Sequence, residues 1–143
     1  MILYLDTSAL VPLLVSEPSS EVCRRLWDAA DDIVSSVAVR PEVASALWRA
    51  RAAGRLTAHQ QGGLLDAVTE LIEQIHLVVV DDRLSRRAAD LATTHGLRGY
   101  DAVHAATALA VLTEDGLAAT GDRQLVAAWQ SAGLATCDVT ASR

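Results

Sequence analysis

The sequence predicts an α/β fold in which a mostly parallel sheet is covered by helices on both faces. Three observations predict it. Apolar runs of four to six residues alternate with segments of helical periodicity along the chain, the pattern of a parallel sheet with helical crossovers. The 143 residues are 51% apolar, which suits one domain with a sizeable core. No repeat, low-complexity linker or composition break interrupts them, so a single domain over 1–143 is expected.

The elements follow in order. Ile2–Leu5 is an apolar run stopped by Asp6 and reads as a buried strand. Thr7 or Ser8 can cap a helix to about Val15, in which Pro12 is tolerated early or makes a kink. Ser19 opens a second helix to about Ala30, with Val22, Leu26 and Ala29/Ala30 facing inward. Residues 33–37 form a second strand. Pro41 suits the first turn of a third helix. Its apolar positions Val43, Ala44, Leu47 and Trp48 recur at helical spacing; Trp48 reads most simply as core, and an exposed Trp27 or Trp48 would instead suit a partner interface; Gly54 ends the helix. Thr57 caps a fourth helix to about Ile75, weakened by Gly62 and Gly63 by ~1 kcal/mol each relative to Ala. Residues 77–80 make a third strand. Asp81 or Asp82 caps a fifth helix that ends at His95, before Gly96. Gly99-Tyr100-Asp101 starts an Ala-rich sixth helix to about Leu112. Residues 117–120 are a fourth strand. Asp122 opens a seventh helix closed by Gly133, and 134–139 form a last strand. The tail 140–143 is expected to fray.

All twelve basic residues are arginine. Without lysine there is no Walker-A phosphate loop, no pyridoxal Schiff base and no kinase-type lysine. Receiver domains and haloacid-dehalogenase-type phosphatases, which also place Asp at strand ends, are excluded for the same reason. No apolar run reaches the ~18–20 residues of a membrane span. The start lacks a basic region before its apolar stretch, unlike a secretory signal. Cys23 and Cys137 lie far apart in sequence with no metal-site spacing. A cytoplasmic chain with free thiols and no membrane partner is expected.

In such a fold the ligand crevice lies at the carboxyl ends of the strands. Asp6 follows the first strand directly and Asp122 follows the fourth within two residues. Glu42 and Asp101 fall in the first turns of the third and sixth helices. All four acids should share one edge of the sheet. Each alone also fits a helix cap or a first-turn dipole partner. Together they repel one another unless something positive lies between them. With no lysine available, Mg²⁺ or Mn²⁺ is the economical cation, and carboxylate-held divalent ions are a common device for phosphodiester hydrolysis.

These residues also carry a family resemblance. The segment Leu5-Asp6-Thr7-Ser8-Ala9-Leu10-Val11 resembles the opening motif of PIN-domain ribonucleases. Residues 41–47, around Glu42, resemble the helix that carries the family's second acid. Residues 97–106, around Asp101, are similar to the third-acid motif of VapC-type toxins. Thr120-Gly121-Asp122-Arg123-Gln124-Leu125 resembles the closing Thr-x-Asp motif. The order and spacing match over essentially the whole chain. The resemblance implies a three-layer α/β/α sandwich with strand order 3-2-1-4-5 and a metal-dependent endoribonuclease. It further implies a toxin of a type II toxin–antitoxin system, neutralised by a VapB-like antitoxin. A homodimer and a toxin–antitoxin hetero-oligomer are implied with it. By motif match Asp6, Glu42, Asp101 and Asp122 form the acidic quartet. Asp6, Asp101 and Asp122 are the expected ligands of Mg²⁺ or Mn²⁺, with Glu42 a ligand or an orienter of water.

Thr7 and Thr120 flank the acids, and their hydroxyls can hold a carboxylate. Thr7 equally suits a cap, and Thr120 a strand position. His104, one turn after Asp101, reads as a partly buried packing residue or a site residue. A net charge of −6 is unusual for a protein that binds RNA. Setting the four site acids aside leaves −2. Arg98 and Arg123 each lie within three residues of a site acid and are the candidate RNA contacts. Arg49, Arg51 and Arg55, and Arg83, Arg86 and Arg87, read as solvated helix faces. The first two helices, through Leu10, Val11, Leu13, Leu14, Val22 and Leu26, offer either core packing or a groove for an antitoxin helix. Two alternatives share the fold: an RNA- or protein-binding module that does not cleave, and an RNA-maturation nuclease without an antitoxin.

Overall fold

The computed structural model describes residues 1–141; part of the tail expected to fray, residues 142 and 143, lies outside them. Five strands form one sheet, and all four pairings among the described residues are parallel. The strands are β1 Ile2–Leu5, β2 Asp32–Ser36, β3 His76–Val78, β4 Gly116–Thr120 and β5 Thr136–Asp138, in the order β3-β2-β1-β4-β5. The helices are α1 Thr7–Leu10, α2 Ser20–Ala29, α3 Val39–Ala52, α4 Ala58–Ile72, α5 Asp82–His95, α6 Gly99–Val111 and α7 Arg123–Ser131.

The period of two in the strands divides the core between the faces. Leu3 and Leu5 of β1 join one cluster, with Leu10, Val39, Val43, Leu47, Val68 and Ile72 from α1, α3 and α4. Tyr4, between them, points the other way, into a cluster with Leu84, Leu91, Ala105, Leu125 and Trp129 from α5, α6 and α7. Ala119 and Ala118 of β4 split in the same manner. The molecule is therefore the expected three-layer α/β/α sandwich. On α6, Ala102, Ala105, Ala106 and Ala108 are essentially fully buried. Their small side chains let the helix backbone lie close to the sheet.

Several boundaries differ from expectation. The first helix stops at Leu10 and continues as a single 3₁₀ turn, Val11–Leu13. Pro12, which has no N–H to donate, lies inside that turn, and a tighter 3₁₀ turn is a common connector. Helix α4 ends at Ile72, three residues early. Ser19 takes the cap position of α2 without a side-chain cap bond. Trp48, expected in the core, is 62% exposed. The buried stripe of α3 runs Val39, Val43, Leu47, Ala50, and Trp48 lies one residue, about 100° of helix, beyond it. The apolar residues of α1, the 3₁₀ turn and α2 pack on the first cluster: Leu10 is buried, and Val11, Leu13, Leu14, Val22 and Leu26 are partly buried. Gly96 ends α5 in the left-handed region, φ 65°, where a Cβ is unfavourable. No helix of the described residues is long and apolar enough to cross a membrane.

Candidate active site at the carboxyl edge

Strand register builds the first half of the site. Parallel β1 and β4 pair Leu5 with Ala119, so the next residues, Asp6 and Thr120, meet side by side. The Thr120 hydroxyl donates to Asp6 Oδ2 at 2.8 Å and accepts the Asp122 N–H at 3.0 Å. Ser8, the second residue of α1, repeats the device. Its hydroxyl donates to Asp6 Oδ1 at 2.7 Å and accepts the Gly121 N–H at 2.7 Å. Asp6 also caps α1 through the Ala9 N–H at 3.1 Å. The carboxylate is 4% exposed. Burial pushes its pKa up, while His104, Ser8, Thr120 and Ala9 favour the ionised form.

Asp122 caps α7, accepting the N–H groups of Gln124 and Leu125 through Oδ1. The capping role foreseen for it is real and coexists with its place at the site. Asp101 arrives by a route the strand–helix alternation does not give, because α6 follows a helix, α5. Helix α6 delivers the chain to the start of β4. Its 13 residues span about 20 Å at ~1.5 Å each, and the five residues of β4 span about 17 Å at ~3.3 Å each. The first turn of α6 therefore stands level with the carboxyl end of β4. There Asp101 is half-buried, and its carboxyl is pushed up first by burial and then by the negative charges of Asp122, Asp6 and Glu42, with His104 opposing.

Glu42, in the first turn of α3, is held by two donors on one oxygen. Thr7 Oγ1 donates to Oε1 at 2.9 Å, and His104 Nε2 lies 2.6 Å from the same atom. Behind His104, the Tyr4 hydroxyl lies 2.7 Å from Nδ1. Burial raises the Tyr4 phenol well above its ordinary value, so it keeps its proton. Both ring nitrogens of His104 are thus engaged, Nδ1 by Tyr4 and Nε2 by Glu42. Edge-on packing against Tyr4, whose ring also meets Trp129, holds the imidazole. Glu42 Oε2 has no partner in this chain of contacts.

The structure thus brings Asp6, Glu42, Asp101 and Asp122 to one edge, with Thr7 on Glu42 and Thr120 on Asp6. It does not draw the acids into a closed cage: among the described residues no three His, Cys, Asp or Glu side chains converge closely enough to hold an ion unaided. Arg98 is exposed at the start of α6. Arg123 is exposed at the start of α7. Sequence reasoning missed the roles of Ser8 and Tyr4. Ser8 stands in the Asp-Thr-Ser segment, two residues after Asp6, the spacing of a hydroxyl that can turn back on a carboxylate. Tyr4 carried no signal, since a tyrosine in an apolar strand reads as core. His104 lies 1% exposed with both ring nitrogens engaged, so it belongs to the site as well as to the packing.

Comparison with known proteins gives the family. Residues 3–128 match the family model described as "PIN domain". The chain is 35% identical over 132 residues to Ribonuclease VapC45 of Mycobacterium tuberculosis, covering 92% of each. Its fold is similar to VapC20 of Mycobacterium tuberculosis, described as a sarcin-ricin loop cleaving toxin, with TM-score 0.69 and 19% identity, over 92% of this chain and 95% of that one. It is also similar to VapBC-5 of Mycobacterium tuberculosis, a member of the VapBC family of toxin–antitoxin systems, with TM-score 0.57 and 18% identity over 95% of each chain. With a family model over most of its length, a VapC relative along nearly all of it and the expected strand order, the chain belongs to the PIN-domain family, among its VapC-type members.

Proposed function

We propose that this chain is a divalent-metal-dependent endoribonuclease toxin, cutting RNA phosphodiester bonds at the edge that carries Asp6, Glu42, Asp101 and Asp122. One observation carries the reading: strand register and the helix starts bring Asp6, Glu42, Asp101 and Asp122 to one edge of the sheet, where Asp101 is half-buried among like charges with His104 alone opposing them. The donors are all carboxylate oxygens, the chemistry that Mg²⁺ and Mn²⁺ prefer. Mg²⁺ usually keeps several of its waters and takes only one or two carboxylates directly, so an open set of acids such as this one, without a closed cage among the described residues, is compatible with it. Asp6, Asp101 and Asp122 would hold it. When bound, such an ion polarises a phosphoryl oxygen and lowers the pKa of a water nucleophile.

The chain's own residues supply the rest. Ser8, Thr120 and the Ala9 amide fix the orientation of Asp6 and favour its ionised form despite burial. Thr7 and His104 fix one oxygen of Glu42, leaving Oε2 to orient a water or take its proton. Hydrolysis then leaves a 5′-phosphate and a 3′-hydroxyl. The VapC-type relationship supports a VapB-like antitoxin as partner, a homodimer, and a cytoplasmic setting. Light scattering on the free and co-expressed chain tests the assembly.

The decisive experiment incubates the purified chain, freed of any partner, with total bacterial RNA in Mg²⁺, Mn²⁺ or EDTA. Asp101→Asn runs beside it, and new 5′ ends are mapped. Discrete metal-dependent cuts missing from the variant are expected. Intact RNA under every metal, from a folded protein, overturns the nuclease reading in favour of a binding module.

A further inference from the structure

We infer that the cleft beside Glu42 is a nucleobase site, in which Tyr100 stacks on the base of an unpaired RNA nucleotide next to the scissile phosphate and Arg49 engages that nucleotide. This rests on the ribonuclease reading above and specifies the substrate that reading requires. The cleft holds about 380 Å³ and is lined by Thr7, Pro41, Glu42, Ser45, Arg49 and Tyr100. That is near the lower end of the ~300–1,000 Å³ typical of small-ligand clefts, room for one ring system and too little for a helix. Thr7 and Glu42 belong both to the cleft and to the carboxylate edge, so its occupant is contiguous with the reacting phosphate.

The lining has the chemistry of base recognition. Tyr100 is 53% exposed, an aromatic face open to solvent one residue before Asp101. Arg49 is tethered over Ser45, Nη1 to Oγ at 2.7 Å, which leaves its other N–H groups for a base edge or a phosphate. Pro41 adds an apolar surface. Aromatic faces and arginine planes are what proteins offer to bases that have left the stack. A paired base cannot reach such a cleft, so the site selects unpaired nucleotides. Arg49, read from sequence as part of a solvated helix face, is in this cleft instead.

The test compares wild type, Tyr100→Ala and Tyr100→Phe. Tyr100 is exposed, so unchanged circular dichroism and melting temperature are expected. Cleavage of a single-stranded oligoribonucleotide containing the mapped cut site gives kcat and KM separately. In the Asp101→Asn background, 2-aminopurine placed beside the cut site reports stacking by fluorescence quenching in Mg²⁺. For Tyr100→Ala, KM should rise about 5- to 150-fold, the loss typical of one stacked base, with kcat changed far less and quenching lost. Tyr100→Phe should recover most of the affinity and the quenching, because the ring stacks and not the hydroxyl. Unchanged KM and quenching in Tyr100→Ala overturn the inference while leaving the nuclease reading intact. If an arginine-rich peptide loses affinity for that variant while RNA does not, the cleft takes a protein segment and the inference fails. A wild-type chain that cuts no RNA overturns the nuclease reading; the unlabelled-site choice then passes to a scan of 2-aminopurine positions, where an absence of Tyr100-dependent quenching overturns the base site too.

Discussion

Neutralising one site carboxylate should make the protein more stable and inactive at once, and Asp101→Asn is the cleanest way to do it. The side chain is half-buried, with three like charges against it and His104 opposing. Discounted for solvent screening, that imbalance is worth about 0.5–1 kcal/mol. For a domain of this size it corresponds to a melting temperature higher by about 1–4 °C. The order should reverse when metal is added. At a concentration 100 times its Kd, an ion held by the folded wild type contributes ~2.7 kcal/mol, and the variant should gain much less. Cleavage should fall at least ~100-fold, since even partners that only orient a ligand cost up to that when removed. The assay is differential scanning fluorimetry in EDTA and in Mg²⁺ or Mn²⁺, beside single-turnover cleavage. A variant less stable than wild type in EDTA would refute the repulsion account. Equal stabilisation of both proteins by metal would show that the ion does not rest on Asp101.

Further outcomes follow from the same contacts. Asp6 and Asp101 both have folded-state pKa values above the ordinary carboxylate range. Between the unfolded value, ~3.9, and those raised values, the folded state binds more protons, so stability in EDTA should rise as pH falls through that window. Asp31 and Asp138, held low by the N-terminal ammonium and by Thr140, lose their contribution only below it; melting temperatures that fall steadily from neutral pH would contradict this. Thr120→Val removes the donor to buried Asp6 and the acceptor for the Asp122 amide and should cost about 2–3 kcal/mol in urea, with Thr120→Ser recovering most of it. Tyr4→Phe leaves His104 Nδ1 buried without its partner and should cost about 1–3 kcal/mol; a double-mutant cycle with His104→Leu should show non-additivity if the contact is direct. Gly96→Ala, forced into the left-handed region, should cost about 1–2 kcal/mol in the same assay.

The sequence alone determined the layer architecture and the four acids. Strand runs such as Ile2–Leu5 and helix ends such as His95-Gly96 are local signals, written in periodicity and cap chemistry that act over a few residues. Asp6 and Asp122 were legible for the same reason, since each directly follows a strand in a fold whose crevice lies at strand ends. The tertiary structure decided what those acids touch. Thr120 grips Asp6 because the β1–β4 register sets residues 114 apart side by side. Glu42 is oriented by His104, 62 residues away, and behind it by Tyr4, which carries no sequence mark of that role. Asp101 reaches the edge through the length of α6 and the parallel sense of β4. Trp48 faces solvent because the buried stripe of α3 passes one residue aside, and periodicity alone does not fix which side of a stripe its margin falls on. Tyr100, in the first turn of α6, and Arg49, about two turns along α3 from Glu42, line one cleft only because separate helices are packed side by side at this edge. Contacts between distant segments depend on strand register and crossover geometry, and those emerge only when the whole core packs.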